Sequence, residues 1–100
     1  MKKLGIIGAS GHGKVVADIA KKMGCYQEIV FFDDNADRVQ CGDYPVAGKS
    51  QDIFHFECDG FIAIGNALVR QRLQEEMEKR GIHIPVLIHP AAVVAEDVQI

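Results

Sequence analysis

Tryptophan is absent, and proline and cysteine occur only three times each among 100 residues. Three cysteines, Cys25, Cys41 and Cys58, cannot form a fully paired disulfide framework. Their wide spacing builds neither a C-x-x-C redox pair nor a zinc ligand set. They read as reduced and structural, and no metal site is expected. No apolar run approaches the ~20 residues of a membrane span. The longest near the start, Leu4 to Ala9, is six residues holding two glycines, too short also for a secretory signal. The expectation is a cytoplasmic chain without membrane insertion. Basic blocks are missing as well: eleven Lys and Arg against fourteen Asp and Glu leave a net charge of −3, which argues against nucleic acid as a partner.

What is present is a 48% apolar chain of the length of one ordinary domain. Leu4-Gly5-Ile6-Ile7 reads as a short buried strand that stops at Gly8-Ala9-Ser10-Gly11-His12-Gly13, where three glycines in six residues predict a tight loop. Val15, Val16, Ile19, Ala20 and Met23 then recur at helical spacing, and Gly24 is a C-terminal stop. Glu28 to Phe32 is a second buried strand ending in the turn chemistry of Asp33-Asp34-Asn35. Small, partly exposed elements are expected over 36–58, with a chain break at Gly42-Asp43-Tyr44-Pro45 and Ser50 capping a short helical turn. Gly60 to Ile64 is a third strand. Gly65-Asn66 follows, with Asn66 as N-cap of a helix in which Val69, Leu73 and Met77 repeat and which Gly81 ends. Pro85 to Pro90 is a fourth strand bounded by prolines.

Apolar strands alternating with amphipathic helices predict an α/β domain: a Rossmann-like parallel sheet of four to five strands flanked by helices. Right-handed crossovers put the first helix on one face and at least one later helix on the other, so the loops after the first and third strands should share a ligand crevice. Three phosphate-loop patterns compete for GASGHGK. The dinucleotide fingerprint begins at Gly11 but meets Val16 where a small residue is needed, although Asp33 sits where a ribose would be read. The Walker A pattern runs Gly8, Gly13, Lys14 and then fails at Val15, which cannot hold magnesium. Neither principal helix has an acidic residue in its first turn, whereas helix N-termini favour negative charge by about 0.3–1 kcal/mol. The expected ligand is therefore anionic, most economically a diphosphate, held by the Gly8–Gly13 loop with help from Asn66 or Arg70. His12 can donate to a phosphate or sugar oxygen. His55 and His83 read as surface residues, and His89 as a strand-end residue. No catalytic set can be assembled from the Ser, His and acidic residues.

With these residues in view, the chain resembles the N-terminal domain of the NeuD/PglD-type bacterial sugar O- and N-acetyltransferases. The resemblance rests on GASGHGKVVADIA after the first strand, FFDD after the second, FIAIGN after the third and LIHPAAVVAEDVQI at the end. It implies a sugar-nucleotide site of UDP-sugar type. Ser10, Gly11 and His12 would approach the phosphates and sugar, Asp33 and Asp34 the uracil or ribose, and Gly65 and Asn66 would belong to the third-strand loop. It also implies acetyl-CoA as co-substrate, transferring acetyl to a sugar amine or hydroxyl, and a homotrimer built through a left-handed β-helix of hexapeptide repeats.

Val94 and Ile100 lie six apart, with Ala92 and Val98 offset by two, as in the first rung of such a β-helix. The expected organisation is a sugar-nucleotide domain over 1–90 and a rung over 91–100, a division in which one rung cannot bury its own inner face. On this reading the chain is truncated: the acetyl-CoA contacts and the catalytic histidine lie outside it, no residue here is catalytic, and the chain binds without catalysing. The alternatives are a stand-alone nucleotide-binding or regulatory module, and an oxidoreductase fragment. The latter is disfavoured by Val16 and the lack of a Tyr-x-x-x-Lys set.

Overall fold

A computed structural model describes residues 2–35 and 37–85. The strands are β1 (Lys3–Ile7), β2 (Glu28–Phe32), β3 (Gln40–Cys41), β4 (Tyr44–Gly48) and β5 (Asp59–Ile62). The helices are α1 (Gly11–Met23) and α2 (Ala67–Lys79), and Ser50–His55 forms a 3-10 helix between β4 and β5. The sheet order is β3-β4-β2-β1-β5, with β1 pairing in parallel to β2 on one side and to β5 on the other.

Side-chain alternation along the strands decides which residues meet which helix. Leu4, Ile6, Ile29 and Phe31 face α1, whose Val16, Ala17 and Ala20 cover them. Ile7, Phe32 and Ile62 face the opposite layer, where Ile53 of the 3-10 helix and Leu73 and Met77 of α2 pack. Gly5 makes room in this second layer: a Cβ there would stand 2.9 Å from the Phe32 ring. The result is three layers, α1 on one face and α2 with the 3-10 helix on the other, around a mostly parallel sheet. The flanked Rossmann-like core is as expected, and Gly24 in a left-handed conformation ends α1 where the sequence placed the stop.

Several expectations need correction. The sheet is mixed, because β3 runs antiparallel to β4. Only Gly42 and Asp43 separate these strands, and a parallel pair needs a crossover of about a dozen residues or more, so the short link dictates a hairpin. Gly42 supplies the required left-handed backbone at φ 60°. Pro45, expected in a chain break, instead pairs opposite Gln40 within this edge ribbon. The glycine segment is shorter as a loop than expected, since α1 already begins at Gly11. Ser50 is not a cap but the buried first residue of the 3-10 helix, while the Lys49 N–H donates to Asp52 at 2.8 Å. The strand expected from Pro85 to Pro90 begins at a residue without strand structure and otherwise lies outside the described residues, as does the β-helix rung over 91–100.

Candidate functional site

From β1 the chain crosses by α1 to β2 on one side, and later arrives at β5 on the other. The loops that leave β1 and β5 therefore part to opposite faces, and this switch point is where open α/β sheets hold ligands. Two kinds of glycine shape it. Gly8 has φ 110°, and a Cβ on it would come within 2.6 Å of the Ala63 carbonyl oxygen, so the two loops touch backbone to backbone. Gly13 is tighter still, its Cβ position falling 2.0 Å from the Gly8 carbonyl oxygen, which brings the start of α1 down onto the loop. Gly11 and Gly65 differ from these, for a Cβ on either would meet no atom within 4 Å beyond its own chain neighbours and local helix backbone. Protein packing explains Gly8 and Gly13, whereas Gly11 and Gly65 leave room for something outside the protein.

Ser10 precedes α1 in an extended conformation, φ −114° and ψ −176°, and its hydroxyl makes no capping bond. The first i to i−4 bond of α1 runs from the Lys14 N–H to the Ser10 carbonyl at 2.9 Å. The N–H groups of Gly11, His12 and Gly13 come before it, outside the helical ladder, and no acidic residue shares that turn. His12 is exposed there. Lys14 leans toward the β3–β4 turn, where a Cβ on Gly42 would sit 3.3 Å from its Cε. It therefore does not follow the Walker lysine, which reaches back over its loop. At α2 the geometry is reversed: the Asn66 Oδ1 accepts from the N–H groups of Leu68 at 3.0 Å and Val69 at 3.1 Å. Arg70 is exposed, with its guanidinium 3.5 Å from the Ile64 carbonyl oxygen.

The adjacent acids separate. Asp33, with its side chain only 15% exposed, turns to the glycine loop. Its Oδ2 accepts the Ala9 N–H at 2.8 Å and its Oδ1 accepts the Asn35 N–H at 2.8 Å. Asp34 turns to the other layer, accepting the Ser50 N–H at 2.9 Å and the Ser50 hydroxyl at 2.8 Å. Those two donors, the N–H first, hold its carboxyl below the usual range. Of the residues singled out in the sequence, Gly8, Ser10, Gly11, His12, Gly13 and Asp33 come together at one loop. Gly65 and Asn66 follow on the neighbouring loop, and Asp34 is directed to Ser50. His55 and His83 are exposed, and His89 lies outside the described residues.

Arg38 is the residue that sequence reasoning missed. Its Nη1 donates to the Ala9 carbonyl and stands 3.7 Å from the Asp33 Oδ2. The signal was in the turn chemistry. Asn35 closes on Asp33, and Asn35 in turn receives the Asp37 N–H on its side chain and the Arg38 N–H on its carbonyl, which turns the chain back over the loop. Asp33, Arg38, Val46 and Gly48 line a cavity of about 290 Å3 beside this clamp. Among the described residues no helix is long and apolar enough to cross a membrane.

Residues 3–77 match the PglD N-terminal domain family. The acetyltransferase domain of PglB from Neisseria gonorrhoeae, solved in complex with acetyl coenzyme A, is 40% identical with a TM-score of 0.82. That match covers 89% of this chain and 44% of the other. A variant of perosamine N-acetyltransferase from Caulobacter crescentus, in complex with CoA and GDP-perosamine, is 29% identical with a TM-score of 0.80. It covers 96% of this chain and 47% of that one. The chain thus spans less than half the length of these structures. They also correct two expectations, that acetyl-CoA is held outside this chain and that the chain lacks the means of catalysis. Most of the chain has its counterpart inside a unit defined as an acetyltransferase domain and solved with acetyl coenzyme A.

Proposed function

Because the chain belongs to the PglD N-terminal domain family, we propose that it serves an acetyl-CoA-dependent sugar acetyltransferase by holding the sugar nucleotide at the β1 and β5 loops. The diphosphate meets the Ser10 hydroxyl and the N–H groups of Gly11 and His12, where the α1 dipole favours an anion. Gly8 and Gly13 hold that loop in place, while Gly65, Asn66 and Arg70 border it from the α2 side. The nucleoside extends toward Asp33 and the cavity beside it, and Asp34 supports that wall through Ser50. Acetyl then passes from the sulfur of acetyl-CoA to a sugar amine or hydroxyl, and the proton that nucleophile loses ends on the released thiolate.

The observation that carries this reading is the open start of α1 at the switch point, in a fold whose relatives include a GDP-sugar complex covering 96% of this chain. Titration calorimetry with UDP- and GDP-linked amino sugars, and with the free sugars, tests it. Saturable heat is expected only from the nucleotide-linked compounds, and no heat up to millimolar ligand would remove the proposal. The finer organisation belongs to the same reading: a domain over 1–90, a hexapeptide rung over 91–100 on the spacing of Val94 and Ile100, trimers through such repeats, and a cytoplasmic setting that suits the free thiols.

A further inference from the structure

Arg38 and Asp33 together hold both backbone polar groups of Ala9, and so the two peptide units that flank it. Asp33 takes the N–H at 2.8 Å, Arg38 gives to the carbonyl, and the two side chains face each other at 3.7 Å. Ala9 lies between Gly8, pinned against Ala63, and Ser10, from which α1 departs. The grip therefore fixes the direction in which the Ser10 and Gly11 N–H groups leave the loop. It also settles an electrostatic conflict. An anion at the start of α1 would dock within a few residues of Ala9, whose N–H holds the Asp33 carboxylate, and so inside the screening length of about 8–10 Å. Without a counter-charge, Asp33 would repel the ligand that the helix dipole attracts.

We propose that Arg38 is the positioning and charge-balancing residue of the glycine loop, holding Ala9 in register and neutralising Asp33 so that the loop accepts a diphosphate. This rests on the sugar-nucleotide reading given above. Arg38 remains 43% exposed, and of its five N–H donors only those on Nη1 are engaged with the loop. Its role is to prepare the loop, and it is not assigned to the reacting atoms.

The test compares Arg38→Met, Arg38→Lys, Asp33→Asn and the double variant Asp33→Asn with Arg38→Met, reading sugar-nucleotide affinity by calorimetry and folding by thermal midpoint. Arg38→Met is expected to lose about tenfold in affinity or more, the scale of one charge-assisted hydrogen bond. The double variant should recover a substantial part of that loss, since the substituted amide keeps an oxygen for the Ala9 N–H while removing the charge. Such recovery would not come from a merely structural residue, whose loss a second deletion would deepen. Should Arg38→Met fail to fold, Arg38→Lys carries the test: it retains the charge and should keep most of the affinity. Unchanged affinity in Arg38→Met, a double variant no better than that single one, or an Arg38→Lys that binds as poorly as an uncharged variant would overturn the proposal. A wild-type chain that binds no sugar nucleotide would instead overturn the reading beneath it, and this role with it.

Discussion

α1 and α2 are each thirteen residues long, begin near the same end of the sheet and carry no acidic residue in the first turn. Their starts are nevertheless built in opposite ways. At α2 the Asn66 side chain bends onto the N–H groups of Leu68 and Val69, so the protein itself provides the oxygen that the helix dipole attracts. At α1 Ser10 holds the equivalent position with its hydroxyl uncommitted to capping, and the backbone is pressed into place by glycine contacts instead. A first turn without acids therefore does not by itself mark an anion site. What distinguishes the two is whether the cap residue has already answered the dipole, and on that criterion α1 is the receptive end.

The contrast can be broken most forcefully at Gly13. A methyl group there would lie 2.0 Å from the Gly8 carbonyl oxygen and 3.0 Å from the Phe31 ring, so either α1 or the Gly8 turn must move. Gly13→Ala is expected to cost about 3 kcal/mol in urea unfolding. A midpoint like the wild type would mean that the α1 start is not fixed by packing. Asn66→Ala comes next, at about 1 kcal/mol for a lost cap. Ser10→Ala, which removes no capping bond, should leave stability within about 0.5 kcal/mol. Between the two cap positions binding should follow the reverse order, with Ser10→Ala weakening sugar nucleotides more than Asn66→Ala. If Asn66→Ala were instead the weaker binder, the roles assigned to the two helix starts would be exchanged.

The layers were legible because they depend on periodicity, which a single chain carries: Leu73 and Met77 are buried where the repeat placed them, and Gly24 stops α1 in a left-handed conformation. The glycine loop was legible as a place but not in its parts. Nothing in GASGHGK says that Gly13 must clear the Gly8 carbonyl while Gly11 faces open space, since that division arises only when α1 is laid on the sheet. Arg38 escaped notice for the same reason, because it reaches Ala9 across 29 positions through turns whose direction is set by Asn35. In the sequence Asp33 and Asp34 are adjacent acids with nothing to divide them between the two layers. Alternation at the end of β2 sends them to different layers, and their chemistry separates accordingly.

Gly11→Ala isolates the ligand from the fold. With no atom within 4 Å of the new methyl group beyond its chain neighbours and local helix backbone, and a helical conformation at that position, stability should hold or rise by a few tenths of a kcal/mol. Affinity for sugar nucleotide should nevertheless fall, because the methyl group occupies the side from which phosphate approaches. Full affinity in a fully stable Gly11→Ala protein would place the diphosphate elsewhere.

The smallest effect concerns Asp34, the acid that serves the α2 layer. Its carboxyl is held below the ordinary value of 3.8 by the Ser50 N–H and hydroxyl. A group whose folded pKa is lowered adds stability above its unfolded value and loses that contribution as pH falls through the folded one. Wild type should therefore exceed Asp34→Asn in stability at neutral pH, and the gap should close on acidification below about pH 4. Acid titration of both proteins, followed by circular dichroism at fixed urea, measures it. Ser50→Ala sharpens the assignment, since it removes the hydroxyl donor and leaves the N–H in place. In that background the neutral-pH gap between Asp34 and its asparagine variant should shrink without vanishing. A gap of unchanged size would show that the Ser50 hydroxyl does not hold this acid to the α2 layer, as its hydrogen bonds imply.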